Sequence, residues 1–255
     1  TFKASEIDKI ISDINSSGYG LTFGLHTRID ERVEHITSRL NVGNIYVNRD
    51  QIGAVVGSQP FGGEGMSGTG PKAGGPYYVS RFKKAPLPEH KLVREDYIDP
   101  AKVQVALDKA ETDKHTPLET IDMPGPTGET NRWSTFARGT ILCLGPTKAD
   151  AGKQAKIAQQ MGCAAVCVAP GLDASVGLSG FLARTALSNL SGFDGVALWS
   201  GVNDLRKARQ ALAERKGPLL PLISTSEMKQ LCVLERHLCI DTTAAGGNAS
   251  LLAAQ

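Results

Sequence analysis

At 255 residues, with 41% hydrophobic and 21% charged residues, the chain reads as soluble and globular and is long enough for one large domain or two small ones. A formal net charge of +2 gives no general reason to expect nucleic acid or an anionic membrane surface. No apolar run approaches the roughly 20 residues of a membrane span, and no basic-then-apolar leader opens the chain.

The chain begins "TFKASEIDKI", without Met and already inside a helical pattern, which reads as a piece of something longer. Ile7, Ile10, Ile11 and Ile14 form one apolar helical face that stops at "SSGYG". A second helix carries Ile29, Val33, Ile36 and Leu40 on one side. "GNIYVN", 43 to 48, is a short strand leading into a glycine-rich stretch. From Gly53 to Gly75, nine of the 28 glycines fall within 23 residues, a density that implies special backbone conformations, close approach or a flexible linker.

The texture changes after "YYVSRF". Between Arg81 and Lys114 there are 15 charged residues, which reads as a solvated connecting arm. One helix is expected in it from Pro100 to about Glu111, capped by Asp99 with Pro100 at its first position. From about residue 120, apolar runs at 140–145, 163–169, 195–200, 219–223 and 237–240 alternate with helix-like segments at about 149–161, 177–190, 203–216 and 225–235. The third of these helices has Asn203 as its expected cap and Gly217–Pro218 as its stop. That alternation predicts a parallel sheet covered on both faces, with Pro221 marking an edge strand.

The first strand-to-helix turn of this half reads "LGPTKADAGK", without GxGxxG, and no acidic residue ends the second strand. Lys148 could meet a phosphate, but a surface lysine is the simpler reading. The five cysteines, Cys143, Cys163, Cys167, Cys232 and Cys239, form no CxxC pair and read as buried reduced thiols, fitting a cytoplasmic location; no metal site is expected. Arg49 and Asp50 could pair with substrate but read better as a solvated or structural ion pair, His26 and His237 as core histidines in apolar settings, and "MPGPTGETN", 123 to 131, as a constrained turn.

The run "GNIYVNRDQIGAVVGSQPFGGEGMSGTGPKAGGPYYVSRF" resembles the end of the catalytic portion of an aldehyde dehydrogenase, and its fuller wording resembles the glutamate-semialdehyde branch. With "SSGYGLTFGLHTRIDERVEHI" before it and "DTTAAGGNASLL" at the far end, the chain is similar to the bacterial enzymes that fuse proline dehydrogenase to glutamate-semialdehyde dehydrogenase. The fold class expected on these grounds is α/β. The C-terminal end of an aldehyde dehydrogenase portion is followed by a Rossmann-like parallel-sheet domain lacking the dinucleotide fingerprint. The expected divisions are 1–80 for the dehydrogenase end, 81–119 for the arm, 120–240 for the Rossmann-like domain and 241–255 for a tail laid down as a flap.

The resemblance implies a parent that oxidises proline with FAD and then glutamate semialdehyde with NAD, through a cysteine nucleophile and a glutamate base. Those two residues precede the motifs present here, so no catalytic residue and no bound cofactor is expected in this chain. It implies that Gly53 and Ala54 offer backbone N–H groups to the substrate carboxylate and that Phe61 lies against its aliphatic part. Gly62, Gly63, Ser67 and Gly68 would shape that loop, with Ser67 capping a local turn. The implied partners are the semialdehyde, the upstream catalytic domains of the same polypeptide and further copies of the chain, with no nucleic acid. The second half would close a substrate tunnel without activity of its own; the competing reading is a structural or nucleotide-binding interaction module.

Overall fold

The computed structural model describes residues 3–83, 96–226 and 228–242. In chain order the elements begin with α1 (Ile7–Ser16), β1 (Tyr19–Gly20), β2 (Thr22–Leu25), α2 (Asp30–Thr37), β3 (Asn44–Val47) and β4 (Glu64–Gly65). After α3 (Pro100–Asp108) come β5 (Pro117–Met123), β6 (Glu129–Ala137), β7 (Thr140–Cys143), α4 (Lys148–Gln160) and β8 (Ala164–Ala169). The chain finishes with β9 (Leu178–Ser179), β10 (Gly195–Ala197), α5 (Val202–Ala213), β11 (Leu222–Ile223) and β12 (Val233–Asp241).

Two compact units result, and they do not follow chain order. The first gathers Thr1–Phe82, Glu119–Thr135 and Glu235–Gln255; the second gathers Lys83–Leu118 and Phe136–Leu234. Beyond Thr242, the expected flap lies outside the described residues.

In the first unit, α1 and α2 place Ile11, Ile36 and Leu40 against Ile45 and Val47 of β3, with Leu238 and Ile240 of β12 packed beside them. The sheet runs β2–β3–β12–β6–β5, and β3 pairs in parallel with both β2 and β12. Because strand side chains alternate, Asn44 and Tyr46 face the other way from Ile45 and Val47. The register sets His237 beside Asn44 and Cys239 beside Tyr46, so the second face of this sheet is polar and buried.

The second unit holds a parallel sheet in the order β11–β10–β7–β8–β9. Leu142, Val166 and Val196 point to α3 and α5, whereas Ile141, Cys143, Cys167 and Ala197 point to α4. Both faces are thus covered, as the continuous apolar runs require. Asp99 caps α3 by accepting from the Ala101 N–H at 2.9 Å, with Pro100 at the first position. Within the segment expected to be a solvated arm, this helix buries Val103 and Leu107 completely enough to join the core.

Several expected elements differ. The run at 237–240 belongs to β12 and joins β3 in the first unit's sheet, because its alternating side chains complete that sheet on both faces. The parallel sheet takes β9 instead. The helix expected at 177–190 is replaced by β9 and a 3-10 turn at Arg184–Ser188: Gly177 lies too close to the Cys167 backbone for any Cβ, and Gly180 has φ +138. The helix expected at 225–235 is one 3-10 turn, Lys229–Leu231, before β12 begins. The cap of α5 is Gly201, two residues before Asn203. The 123–131 turn is the connection between β5 and β6, two strands that the apolar-run pattern does not reveal.

Candidate anchor loop and the polar face beneath it

The chain leaves β3 at Asn48, in the left-handed region at φ 59, and its side chain secures the turn by accepting from the Thr27 N–H at 2.9 Å. The next residues form an exposed loop. Gly53 has φ +82 with open space where a side chain would stand, and Ile52 and Val56 are largely exposed around it. Among the described residues, nothing accepts a hydrogen bond from the N–H of Gly53 or Ala54. Val55 closes the loop by donating to Gln59 Oε1 at 3.2 Å.

Gln59 begins a set of buried polar contacts. Its amide donates to Glu129 Oε1 at 3.0 Å, and Arg49 pairs with Glu129 Oε2 at 2.7 Å. Arg49 thus enters a structural ion pair, with Glu129 and not with its neighbour: the Asp50 carboxylate accepts from the Ile52 N–H, and Arg49 reaches only the Asp50 carbonyl. Glu129, on β6, is the stronger partner because it is largely enclosed and accepts from three donors, Arg49, Gln59 and Asn131.

Phe61 exchanges both backbone hydrogen bonds with Ala73, at 3.0 and 2.8 Å, while the residue stays 36% exposed. Gly62 lies against the Lys72 stem. Gly63 must lack a side chain, since a Cβ there would come within 2.7 Å of Ser67. Ser67 Oγ accepts from the Gly20 N–H at 3.4 Å, tying the loop to β1, and Gly68 closes the turn on the Gly65 carbonyl at 3.0 Å. The glycine-rich stretch is therefore a shaped loop.

Beneath it lie charges that the sequence did not announce. Lys72 is only 2% exposed, and burial pulls its ammonium down to about 7, with Glu235 and Glu64 opposing. Its Nζ donates to the Gly43 carbonyl at 2.7 Å, to Asn44 Oδ1 at 2.9 Å and to the Gly62 carbonyl. Glu235 accepts from the Lys72 N–H at 2.9 Å and from Trp133 Nε1 at 3.0 Å. Arg236 grips both oxygens of Glu64 at 2.6 and 3.1 Å.

His237 is fully buried, in this charged layer and not in the apolar setting expected. Burial, then the positive charges of Lys72 and Arg49, lower it to about 4, with the Ser58 backbone opposing. His26, just past the end of β2, is exposed and not the core histidine expected.

All five thiols are buried. Cys143 is held well above the ordinary thiol value by its contact with Cys167 and by burial, and Cys239 is pushed up to about 11 by burial. Among the described residues no cluster of three metal-ligating side chains occurs, and no helix is long and apolar enough to cross a membrane.

In the second unit, the turn between β7 and α4 is filled by the protein itself. Gln154 reaches back to the Gly145 N–H and carbonyl at 3.0 and 2.8 Å, and Thr147 caps the Asp150 N–H at 3.1 Å. Asp150 adds a carboxylate to the first turn of α4. Lys148 starts that helix on the surface side.

The aldehyde dehydrogenase family model matches residues 1–85. Over 99% of its length the chain is 37% identical to the bifunctional protein PutA of Rhizobium meliloti, and over 98% it is 35% identical to that of Escherichia coli. It spans 23% and 22% of those relatives, under a quarter of their length. Over 30% of its length the chain is 47% identical to a 1-pyrroline-5-carboxylate dehydrogenase of Bacillus subtilis, covering 15% of that one. Among solved structures, proline utilization A from Corynebacterium freiburgense matches 92% of this chain and 24% of its own, at TM-score 0.54 and 22% identity, and so shares the fold.

Proposed function

For a chain related along nearly its whole length to bifunctional PutA proteins, and through residues 1–85 to the aldehyde dehydrogenases, we propose a role as the C-terminal portion of a proline-to-glutamate enzyme. In that reading the loop after β3 binds the α-carboxylate of glutamate semialdehyde. The observation that carries it is the pair of unengaged N–H groups on Gly53 and Ala54, on a small-residue turn that lets an anion approach the backbone. Phe61, with its main chain fixed and its ring exposed, forms the wall for the aliphatic carbons and excludes water from them.

The residues that attack the aldehyde and activate water lie in other parts of the parent polypeptide. There NAD accepts hydride and FAD oxidises proline. In this reading neither group binds here; the β7–α4 turn, occupied by Gln154 and Thr147, supports it over the nucleotide-binding module. The second unit serves as a non-catalytic domain that, with residues 241–255, closes the passage between the parent's two active sites. The parent works in the cytoplasm as an assembly of several copies.

The anchor is tested in the full-length parent with Gly53→Val, which fills the open space and strains a position at φ +82. KM for the semialdehyde should rise about 10-fold or more with kcat changed far less, because ground-state binding is what is removed. An unchanged KM refutes the anchor. Deleting residues 241–255 should release the intermediate into solution during proline oxidation; undiminished coupling refutes the closing role.

A further inference from the structure

We propose that Lys72, Asn44 and Glu235 are positioning residues that set the substrate-facing wall by clamping the backbone on either side of Phe61. The inference rests on the reading of Phe61 as part of an aldehyde site.

Every polar backbone group around Phe61 has a dedicated partner. Asn44 donates to the Pro60 carbonyl at 2.9 Å and accepts from the Gly62 N–H at 3.0 Å, so a single amide spans the residue before and the residue after. Lys72 takes the Gly62 carbonyl and, at 2.9 Å, the same Asn44 oxygen. The Phe61 N–H and carbonyl are both held by Ala73, next in sequence to Lys72. Glu235 then fixes Lys72 from the other side through its N–H, with its second oxygen held by Trp133.

The three protons of the ammonium meet three acceptors, the Gly43 carbonyl, Asn44 Oδ1 and the Gly62 carbonyl, so its orientation is fully determined. Packing holds Phe61 only in part, since the residue is 36% exposed while Lys72, Asn44 and Glu235 are 2%, 0% and 9% exposed. The held main chain around it therefore does much to aim the ring. An ammonium satisfied only by neutral acceptors is a costly device for mere stability, because a buried charge without a directly paired carboxylate loses hydration that apolar packing would not. What it contributes is one geometry for two separate backbone segments, 43–44 through the Gly43 carbonyl and the Asn44 side chain, and 62 through its carbonyl. β12 supplies Glu235 from 163 residues farther along the chain, so the wall is aimed by the C-terminal strand.

The test is a double-mutant cycle in the full-length parent, read as KM and kcat for semialdehyde oxidation at saturating NAD. Lys72→Met should raise KM about 10-fold with kcat held within about 2-fold, and Phe61→Ala should raise KM comparably. In the Phe61→Ala background, Lys72→Met should add less than about 2-fold, because its effect passes through the ring that is gone. Lys72→Arg should recover part of the loss. An unchanged KM in Lys72→Met, or full additivity with Phe61→Ala, overturns the positioning inference while leaving the wall intact. An unchanged KM in Phe61→Ala instead removes the wall reading itself. Should Lys72→Met not fold, Glu235→Gln is the gentler variant. It should raise KM about 3-fold with kcat held, again only when Phe61 is present; no change, or the same rise without Phe61, overturns the proposal.

Discussion

The two five-stranded sheets of this chain bury opposite kinds of side chain. In the parallel sheet both faces are apolar: Leu142, Val166 and Val196 look one way, and Ile141, Cys143 and Cys167 the other. In the β2–β3–β12–β6–β5 sheet one face is apolar and the other carries Asn44, Glu235 and His237 under the glycine-rich loop. Apolar alternation alone suffices to make a layer, since each buried aliphatic side chain contributes about 1.5–3 kcal/mol wherever water is excluded. A polar face has no such freedom. Each of its groups costs free energy until it finds its partner, so it folds only together with the one loop arrangement that satisfies it.

That contrast breaks most visibly at Glu64. Glu64→Ala removes the carboxylate gripped by Arg236 and leaves a guanidinium buried at 5% exposure. The expected loss is about 3–5 kcal/mol in urea unfolding of the chain. A loss below about 1 kcal/mol would mean that the polar layer is as forgiving as a surface pair.

A second probe is pH. The folded state holds His237 at about 4 against an ordinary 6.5, so it declines a proton that the unfolded chain accepts between those values. Stability should therefore fall as pH drops from 6.5 to 4, by up to about 3 kcal/mol, and be insensitive to this group above 6.5. Lys72, at about 7 against 10.5, acts with the same sign at higher pH: stability rises as pH climbs from 7 toward 10.5. Denaturant midpoints across pH 4 to 7 decide the first of these; if His237→Gln leaves the acid slope unaltered, His237 is not its origin.

The smallest expected effect sharpens the comparison from the apolar side. Asp99→Ala removes the cap of α3 and should cost about 1 kcal/mol, read as a lowered urea midpoint with unchanged m-value.

Much of the parallel sheet was legible because its signals are local. Asp99 before Pro100 marks a helix start by capping chemistry, and the runs around Ile141, Val166 and Val196 are continuous because both faces are covered. The segments at 177–190 and 225–235 misled because an apolar repeat was read without its tertiary setting: β9 pairs with β8, and β12 already begins at Val233. For the loop, the resemblance singled out Gly53, Ala54 and Phe61 as sites but not what holds them. A weak signal existed in "LERHLCI", where Glu235, Arg236 and His237 interrupt an otherwise apolar strand.

By itself the sequence determined what depends on neighbours along the chain: the caps, the apolar period of each strand and a glycine density that calls for special backbone. Only the tertiary structure decided that β12 returns to β3, that Arg49 chooses Glu129 over Asp50, and that Lys72 lies under Phe61. The physical reason is separation. Lys72 and Glu235 are 163 residues apart, and a buried charge declares its partner only where the folded chain leaves it no water.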